Sequence, residues 1–500
     1  MSRFECFLKN NFIFLFVIAL SFFFSFVTLY HYPIFNPDGE LYLKAADAFL
    51  KSGIHASMKI YPWPLYSVLI GILSKITALS LLNSAYLINF IFSALIAVVF
   101  LLIVQALGAN KRILWLAVLV FFVFHAFNSY RADIIRGHGY WFFFLLSFLF
   151  LTKFSQSKSW TTAILWSISI ILATLFRIEG GVYFVLVPFV VLFFDYRWKE
   201  KCFAYLKLNV LLIIALCLIL FVGYSHLISH LGRIHELLFQ FHQGVLVTWQ
   251  LLVKHNSLLK QDVLGTLGQD DSSVFLFFGM LGTYLYNVII SLSFACFLIL
   301  IYGTVKKQIK FPTNIRWIFL SYILISIVIT VAFYIQYFFV SQRYIFPLLL
   351  VLLLWVPFGL NILYQDFKCR KSWCSVEGIL FYFVCLLMTA MLVSSIFPFG
   401  HSKRYIYQAG IWIKNNTEKS AVVCTNYSRL HYIINRDVIS VDEYQVFQDR
   451  LVKCHYLVLN FSKKQMPLES KIGIILGNPP LKVFPFKNEN EVVIFRIDKK

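Results

Sequence analysis

Long apolar runs separated by short basic turns fill residues 1–397 of the chain; the last hundred residues read differently. Runs at about 11–30, 84–107, 113–127, 138–152, 161–176, 182–194, 208–224, 273–302, 317–335, 345–363 and 376–396 approach or exceed the length that spans a bilayer, about 20 residues. The turns between alternate runs hold Lys111 and Arg112, then Lys153 and Lys158, then Arg197, Lys199, Lys201 and Lys207. Further on they hold Lys306, Lys307, Lys310 and Arg316, and finally Lys368, Arg370 and Lys371. Cytoplasmic loops carry such an excess of Lys and Arg. The pattern predicts a polytopic α-helical membrane protein of about eleven transmembrane helices, N-terminus in and C-terminus out. The first run follows Arg3 and Lys9, and His31-Tyr32-Pro33 rather than a small-residue cleavage site follows it, so it reads as a retained span.

Two segments interrupt the spans. Residues 31–62 mix acids, bases and prolines and cannot cross lipid. Within them, Asp38 to Leu50 predicts an amphipathic helix with Leu41, Ala45, Ala48 and Phe49 on its apolar side, ended by Gly53. Tyr61-Pro62-Trp63-Pro64 predicts a rigid aromatic turn. Leu65 to Leu79 is short for a span and carries Lys75, and crossing there would move every later basic loop outside. It is read as an interfacial helix, which extends the first outer loop over 31–82. Residues 225–271 form a second outer loop with surface-lying helices. In 398–500 the alternating runs 421–424, 456–459 and 492–495 read as strands and 405–415 as a helix. The expected division is a membrane module, 1–397, and a small extracytoplasmic α/β domain, 398–500.

Composition sharpens this picture. Only 13% of the residues are charged, against about 25% in soluble domains, and the mean hydropathy is +0.77. The 55 phenylalanines are taken as lipid-facing. The net charge of +21 lies in the short turns, so nucleic acid is excluded as a partner. Of nine cysteines, Cys6, Cys202, Cys217, Cys296, Cys369, Cys374 and Cys385 show no ligand spacing. Cys424 and Cys454 form a disulfide if the tail faces an oxidising compartment; two buried thiols are the alternative.

Candidate chemistry gathers on the predicted outer side. Asp38 follows Asn36-Pro37 and precedes Gly39, a setting that fixes its backbone and lets a ligand approach. Glu40, His55 and Lys59 read as solvated charges. Arg177 and Glu179 are either an ion pair at the membrane boundary or part of a site. Arg343 either snorkels or grips a phosphate by a forked contact. Arg131 and Arg136, flanking Asp133, are weaker versions of the same. Together they fit an anionic lipid-linked substrate, with a carboxylate as general base. Few ionisable groups fall at midspan depth, which argues against a transporter.

The motifs in this order resemble the GT-C superfamily of membrane glycosyltransferases, in the group of protein O-mannosyltransferases and lipid A aminoarabinose transferases. The resemblance spans the chain and is clearest over 10–200 and 335–500. It rests on Asn36-Pro37-Asp38-Gly39-Glu40-Leu41-Tyr42, Tyr61-Pro62-Trp63-Pro64-Leu65-Tyr66, Tyr130-Arg131-Ala132-Asp133, Phe176-Arg177-Ile178-Glu179-Gly180 and Gln342-Arg343-Tyr344 with Pro347. The stretch from Ala409 to Lys414 followed by Ala421-Val422-Val423 resembles the start of the family's outer domain. The resemblance implies transfer of a sugar from an isoprenoid-phosphate donor to an envelope lipid, glycan or protein, on the outer face of a bacterial inner membrane. It casts Asp38 as the essential acid, Asp133 as its assistant and Arg343 as the donor-phosphate ligand, with Arg177, Arg131 and Arg136 in support. Gly39 separates Asp38 from Glu40 where many relatives place two acids side by side, which weakens the share of Glu40. Some members use a divalent cation and others none. A flippase of lipid-linked sugars and a non-catalytic envelope assembly protein are the alternative readings.

Overall fold

The computed structural model describes residues 3–222, 233–370, 375–397, 403–441, 454–462, 465, 467–486 and 490–497. The expectation of eleven spans is not met. Among the described residues five helices are long and apolar enough to cross a membrane: Asn11–His31, Leu81–Ala106, Thr266–Leu292, Thr313–Tyr337 and Val376–Ile396. Counting the pair Gln342–Leu353 and Val356–Cys369, bent by 44°, as one span makes six. Several of the other apolar runs end too soon. Lys111–Val123 has 13 residues and Phe294–Val305 has 12. Gly180–Leu186 passes into a 3-10 segment, Val187–Phe193, that begins around Pro188. At 1.5 Å per residue a 13-residue helix covers about 20 Å of a 30 Å hydrocarbon layer. Hydropathy marks what can leave water, and here much of it leaves water for protein rather than for lipid.

The chain divides into two compact units, one of residues 1–25 and 41–397, the other of residues 26–40 and 398–500. In the first, Gly137–Ser157 is packed between Leu81–Ala106 and Trp160–Phe176, and Trp141, Phe144, Phe148 and Phe154 along it are fully buried. Many phenylalanines thus build protein core instead of facing lipid, among them Phe100, Phe121, Phe124 and Phe127. Polar side chains stitch this core through hydrogen bonds between helices. Tyr322 shares a hydrogen bond with Ser147 at 2.9 Å and accepts one from the Trp166 indole at 3.3 Å. Tyr183 meets Ser326 at 2.6 Å. Peripheral helices remain exposed: 6% of the apolar window in Thr266–Leu292 is buried, against 67% in Leu81–Ala106.

The segment expected to form the first outer loop folds as helix Pro37–Ile60, broken at Gly53, whose φ of 77° lies in the left-handed region that favours glycine. Leu65–Thr77 is a separate 13-residue helix that buries Tyr66, Ser67, Ile70 and Gly71. Of the segment 225–271, expected as the second outer loop, residues 225–232 lie outside the described residues; Arg233–Leu258 is one helix.

The second unit holds a five-stranded sheet, with β1 Val423–Thr425, β2 Val438–Ser440, β3 Tyr456–Ser462, β4 Lys482–Phe486 and β5 Asn490–Arg496 in the order β2-β1-β3-β5-β4. β1 pairs in parallel with β2 and β3, whereas β5 runs antiparallel to β3 and β4. The alternation legible at 421–424, 456–459 and 492–495 becomes β1, β3 and β5, and its period of two sorts the side chains to two faces. Val493 and Phe495 join Cys424, Leu457, Leu459 and Ile472 on one. Val492 and Ile494 join Val423, Val458, Ile406 and Ile413 on the other. The second face is covered by Arg404–Asn416 and Leu430–Ile434. Pro485 sits in the edge strand β4, where a missing N–H is tolerated. Cys424 and Cys454 form a disulfide, both buried.

Candidate functional site

Within the second unit, the stretch 26–40 is built onto the tail. Pro37 opens its helix as the first helical residue, where a missing N–H costs nothing. The Asn36 carbonyl accepts from the Gly39 N–H at 3.1 Å, closing the turn around Asp38. Asp38 and Glu40 occupy the first helical turn, where free N–H groups favour negative charge. Asp38 is half-buried. Glu40 accepts a hydrogen bond from the Ser428 hydroxyl at 2.8 Å. Arg429 donates to the Phe35 carbonyl at 2.7 Å, and the buried Phe35 ring meets Tyr432 edge-on at 5.5 Å. Ile34 packs against the sheet core, and Arg404 lies 4.6 Å over Tyr30 while donating to its hydroxyl at 3.2 Å. Burial pushes the Tyr427 phenol up to about 12; Arg429 opposes this, while Tyr405 and Glu40 add to it. The acidic loop is therefore clamped at three points by the tail. Beside it the Asn36 amide has both its oxygen and its nitrogen buried without a hydrogen-bond partner, the kind of group that a ligand satisfies.

A second cluster lies in the first unit, around Tyr130. Burial raises its phenol, the Arg343 charge lowers it, the Asp133 charge raises it, and a hydrogen bond to Ser341 lowers it. The Arg343 and Asp133 charges thus both act on one hydroxyl, in opposite directions. The Asp133 backbone is tied down: its N–H donates to the Tyr130 carbonyl at 3.0 Å, and its carbonyl accepts from the Asn89 amide at 2.7 Å. Asn89 in turn accepts from the Tyr66 hydroxyl at 2.8 Å, which ties helix Leu65–Thr77 into the arrangement.

Arg177 and Glu179 form an ion pair in the turn after Trp160–Phe176, with Nε donating to Oε1 at 3.2 Å and Nη2 closing the fork. Burial would raise the Glu179 carboxyl, but Arg177, by charge and hydrogen bond, and then Arg136 outweigh it and hold it below the usual range. Its second oxygen is buried without a partner. The Arg177 guanidinium lies 4.5 Å from the Tyr344 ring and 5.6 Å from Tyr140, so the Arg177 turn adjoins the Arg343-Tyr344 turn. Arg136 lies 5.4 Å over Tyr61 of the aromatic turn, whose Trp63 donates to the Thr174 carbonyl at 3.2 Å. Gly180 allows this tightness: a Cβ there would stand 2.6 Å from the Thr174 backbone nitrogen.

Arg131 is different. It is fully buried, donating to Asn128 at 2.8 Å, to the Ser21 hydroxyl at 2.9 Å and to Ser25 at 3.2 Å. The Phe127, Phe122 and Phe24 rings surround it within 4.7 to 5.9 Å. It fastens the loop to the first helix. Two serines four residues apart in an otherwise apolar run were the sign of such a partner. The first unit thus brings together Asp133, Arg136, Arg177, Glu179 and Arg343 around Tyr61, Tyr130 and Tyr344. Asp38 and Glu40 belong with the tail. No group of three or more His, Cys, Asp or Glu side chains that could hold a metal ion occurs among the described residues.

No family model matches the chain, and no curated protein matches it. Solved structures do. ArnT from Cupriavidus metallidurans bound to undecaprenyl phosphate is 11% identical over 96% of this chain and 97% of that one, with a TM-score of 0.51. Its apo state is 10% identical over the same shares, with a TM-score of 0.48. The archaeal oligosaccharyltransferase AglB from Archaeoglobus fulgidus, in complex with an inhibitory peptide and a dolichol-phosphate, is 12% identical over 92% of this chain and 70% of that one, with a TM-score of 0.47. At such identity the likeness to the lipid-bound ArnT is one of fold: a helical membrane protein that carries a small C-terminal domain with a β-sheet.

Proposed function

We propose that the chain is a GT-C-type glycosyltransferase. It moves a sugar from an isoprenoid-phosphate donor to an envelope lipid, glycan or protein, by inverting displacement on the outer face of the membrane. The reading is supported by the Arg343 and Asp133 charges acting together on Tyr130, with the Arg177 guanidinium 4.5 Å from the ring of Tyr344 next to Arg343, in a fold like that of a protein bound to undecaprenyl phosphate. In this reading Asp38 takes the proton from the acceptor hydroxyl or amine. The acceptor heteroatom forms the new bond to the anomeric carbon as the carbon–oxygen bond to phosphate breaks. The electron pair leaves with the isoprenoid phosphate. Arg343 and Arg136 receive that charge; fixed donors aimed at developing charge are the strongest catalytic device a site of this kind has. Arg177 orients the site through Tyr344 and Glu179, and Asp133 sets the Tyr130 hydroxyl. Glu40 positions the loop through Ser428, and Arg131 is left out of the phosphate set because it is fully buried among Phe24, Phe122 and Phe127. The Cys424–Cys454 bridge supports an oxidising compartment for the tail.

The test is transfer from a radiolabelled undecaprenyl-phosphate sugar to envelope fractions by the purified protein in nanodiscs, with and without divalent cation. Asp38→Asn is expected to lower transfer at least a hundredfold with unchanged melting. Full activity of that variant would remove Asp38 from the proton transfer, and absence of transfer under every condition would sink the reading.

A further inference from the structure

A second basic site lies at the far end of helix Thr313–Tyr337 from Arg343. The helix has 25 residues, about 37 Å at 1.5 Å per residue, so the two sites cannot share a ligand headgroup. Here the turn between Phe294–Val305 and Thr313–Tyr337 borders a cavity of about 510 Å³, lined among others by Thr304, Lys307, Lys310, Phe311, Arg316 and Trp355. The charge rule alone accounts for basic residues in this turn. It does not account for three further features.

The first is the pairing of charge. Lys306, one residue away, faces Glu377 at 3.3 Å and Asp366 at 3.6 Å, and Tyr302 donates to Asp366 at 2.5 Å. The carboxylates of this region are thus engaged by Lys306. Among the described residues Lys307, Lys310 and Arg316 enter no ion pair; Arg316 donates only to the Thr313 hydroxyl at 3.3 Å. The second is the floor. Trp355 is wedged edge-on against Phe311 at 5.2 Å and Phe319 at 5.3 Å, so the indole has a fixed place. The third is an unmet donor: the Trp355 indole N–H is buried without an acceptor. An indole nitrogen can only donate, and a buried donor left unpaired is costly. Three uncompensated cations, a rigid aromatic floor and a buried N–H are what a phosphate group at the water–lipid boundary would satisfy.

We propose that this cavity binds a phosphate group, as carried by an anionic phospholipid headgroup or by free phosphate. The site is independent of sugar transfer, and its test needs no activity. Full-length protein in detergent is titrated with dihexanoyl phosphatidylglycerol, dihexanoyl phosphatidylcholine and inorganic phosphate, and bound adducts are counted by native mass spectrometry. The expected result is preference for phosphatidylglycerol over phosphatidylcholine. Lys307→Ala/Lys310→Ala/Arg316→Ala is expected to weaken it tenfold or more, and Trp355→Phe, which keeps the ring and removes the N–H, about threefold. Equal sensitivity of inorganic phosphate to both variants, without binding of phosphatidylglycerol, assigns the site to free phosphate. Equal binding of the two lipids with no phosphate binding, or an unchanged triple variant, overturns the proposal. A weakened triple variant with Trp355→Phe unaffected overturns it as well, since the affinity is then that of a diffuse basic surface. Lys310→Ala alone, an exposed change, keeps the test available if the triple variant is unstable.

Discussion

Glu179 shows how much one carboxylate can carry. Its partner Arg177 is 7% exposed and has no other acid among its described ion pairs. Glu179→Gln leaves that guanidinium buried and uncompensated, which costs about 3–5 kcal/mol. Denaturant melts in detergent are expected to show that loss together with reduced transfer; an unchanged midpoint would make the pair dispensable. The low-lying Glu179 carboxyl sets the sign of its pH dependence. Its stabilisation is complete above the ordinary carboxylate range and disappears as pH falls through its folded value. Glu491 on β5 behaves the opposite way. Burial, then the neighbouring Glu469 carboxylate, raises it to about 7. Folding takes up a proton there that the unfolded chain holds only below its ordinary value of about 4.3. The stabilisation is therefore full below that value and is lost as pH rises through 7. Glu491→Gln is expected to flatten this slope and to stabilise the tail at pH 8 by on the order of 2 kcal/mol. Hydrogen exchange of tail peptides at pH 5 and pH 8 measures it, and an unaltered slope would place the dependence elsewhere.

At the scale of elements, the turn from Phe176 to Gly181 joins two short helices and holds Arg177 and Glu179 in place. Gly180 and Gly181 look alike in the sequence but differ in their surroundings. A methyl group on Gly180 would meet the Thr174 backbone nitrogen at 2.6 Å, whereas one on Gly181 meets only the Thr174 methyl, at 3.6 Å. Gly180→Ala must open the turn, and overpacking of this kind costs about 1–3 kcal/mol. The expected outcome is at least a tenfold fall in transfer for Gly180→Ala and near-normal transfer for Gly181→Ala. Equal effects of the two would remove the turn from the site. The apolar runs teach a related lesson. Leu81–Ala106 is at least as apolar as peripheral helices such as Val376–Ile396, yet most of its side chains meet protein rather than lipid. Periodicity cannot separate these environments, because both reward apolar surface.

For the whole molecule, the two units predict separable stability. The Cys424–Cys454 bridge closes a loop of sequence separation 30 inside the tail. Its removal by Cys424→Ala/Cys454→Ala is expected to cost the tail about 3 kcal/mol and to leave the helical unit protected in hydrogen exchange; equal loss in both units would show that they unfold as one. Much of this organisation was legible beforehand. The apolar runs and basic turns determine a polytopic membrane chain, the shift in pattern near 398 marks the tail, and its period-two runs become β1, β3 and β5. Asn36-Pro37-Asp38-Gly39 specifies a helix start with an acid in its first turn, since each of those residues acts on its own backbone. The rest depends on partners far away in the chain. The Arg131 contacts lie 106 and 110 residues off in Ser25 and Ser21. Ser428 and Arg429 reach Glu40 and Phe35 across 388 and 394 residues. Local pattern therefore determined what kind of surface each segment presents; only tertiary packing decided which surfaces meet, because burial in protein and burial in lipid leave the same mark on a sequence.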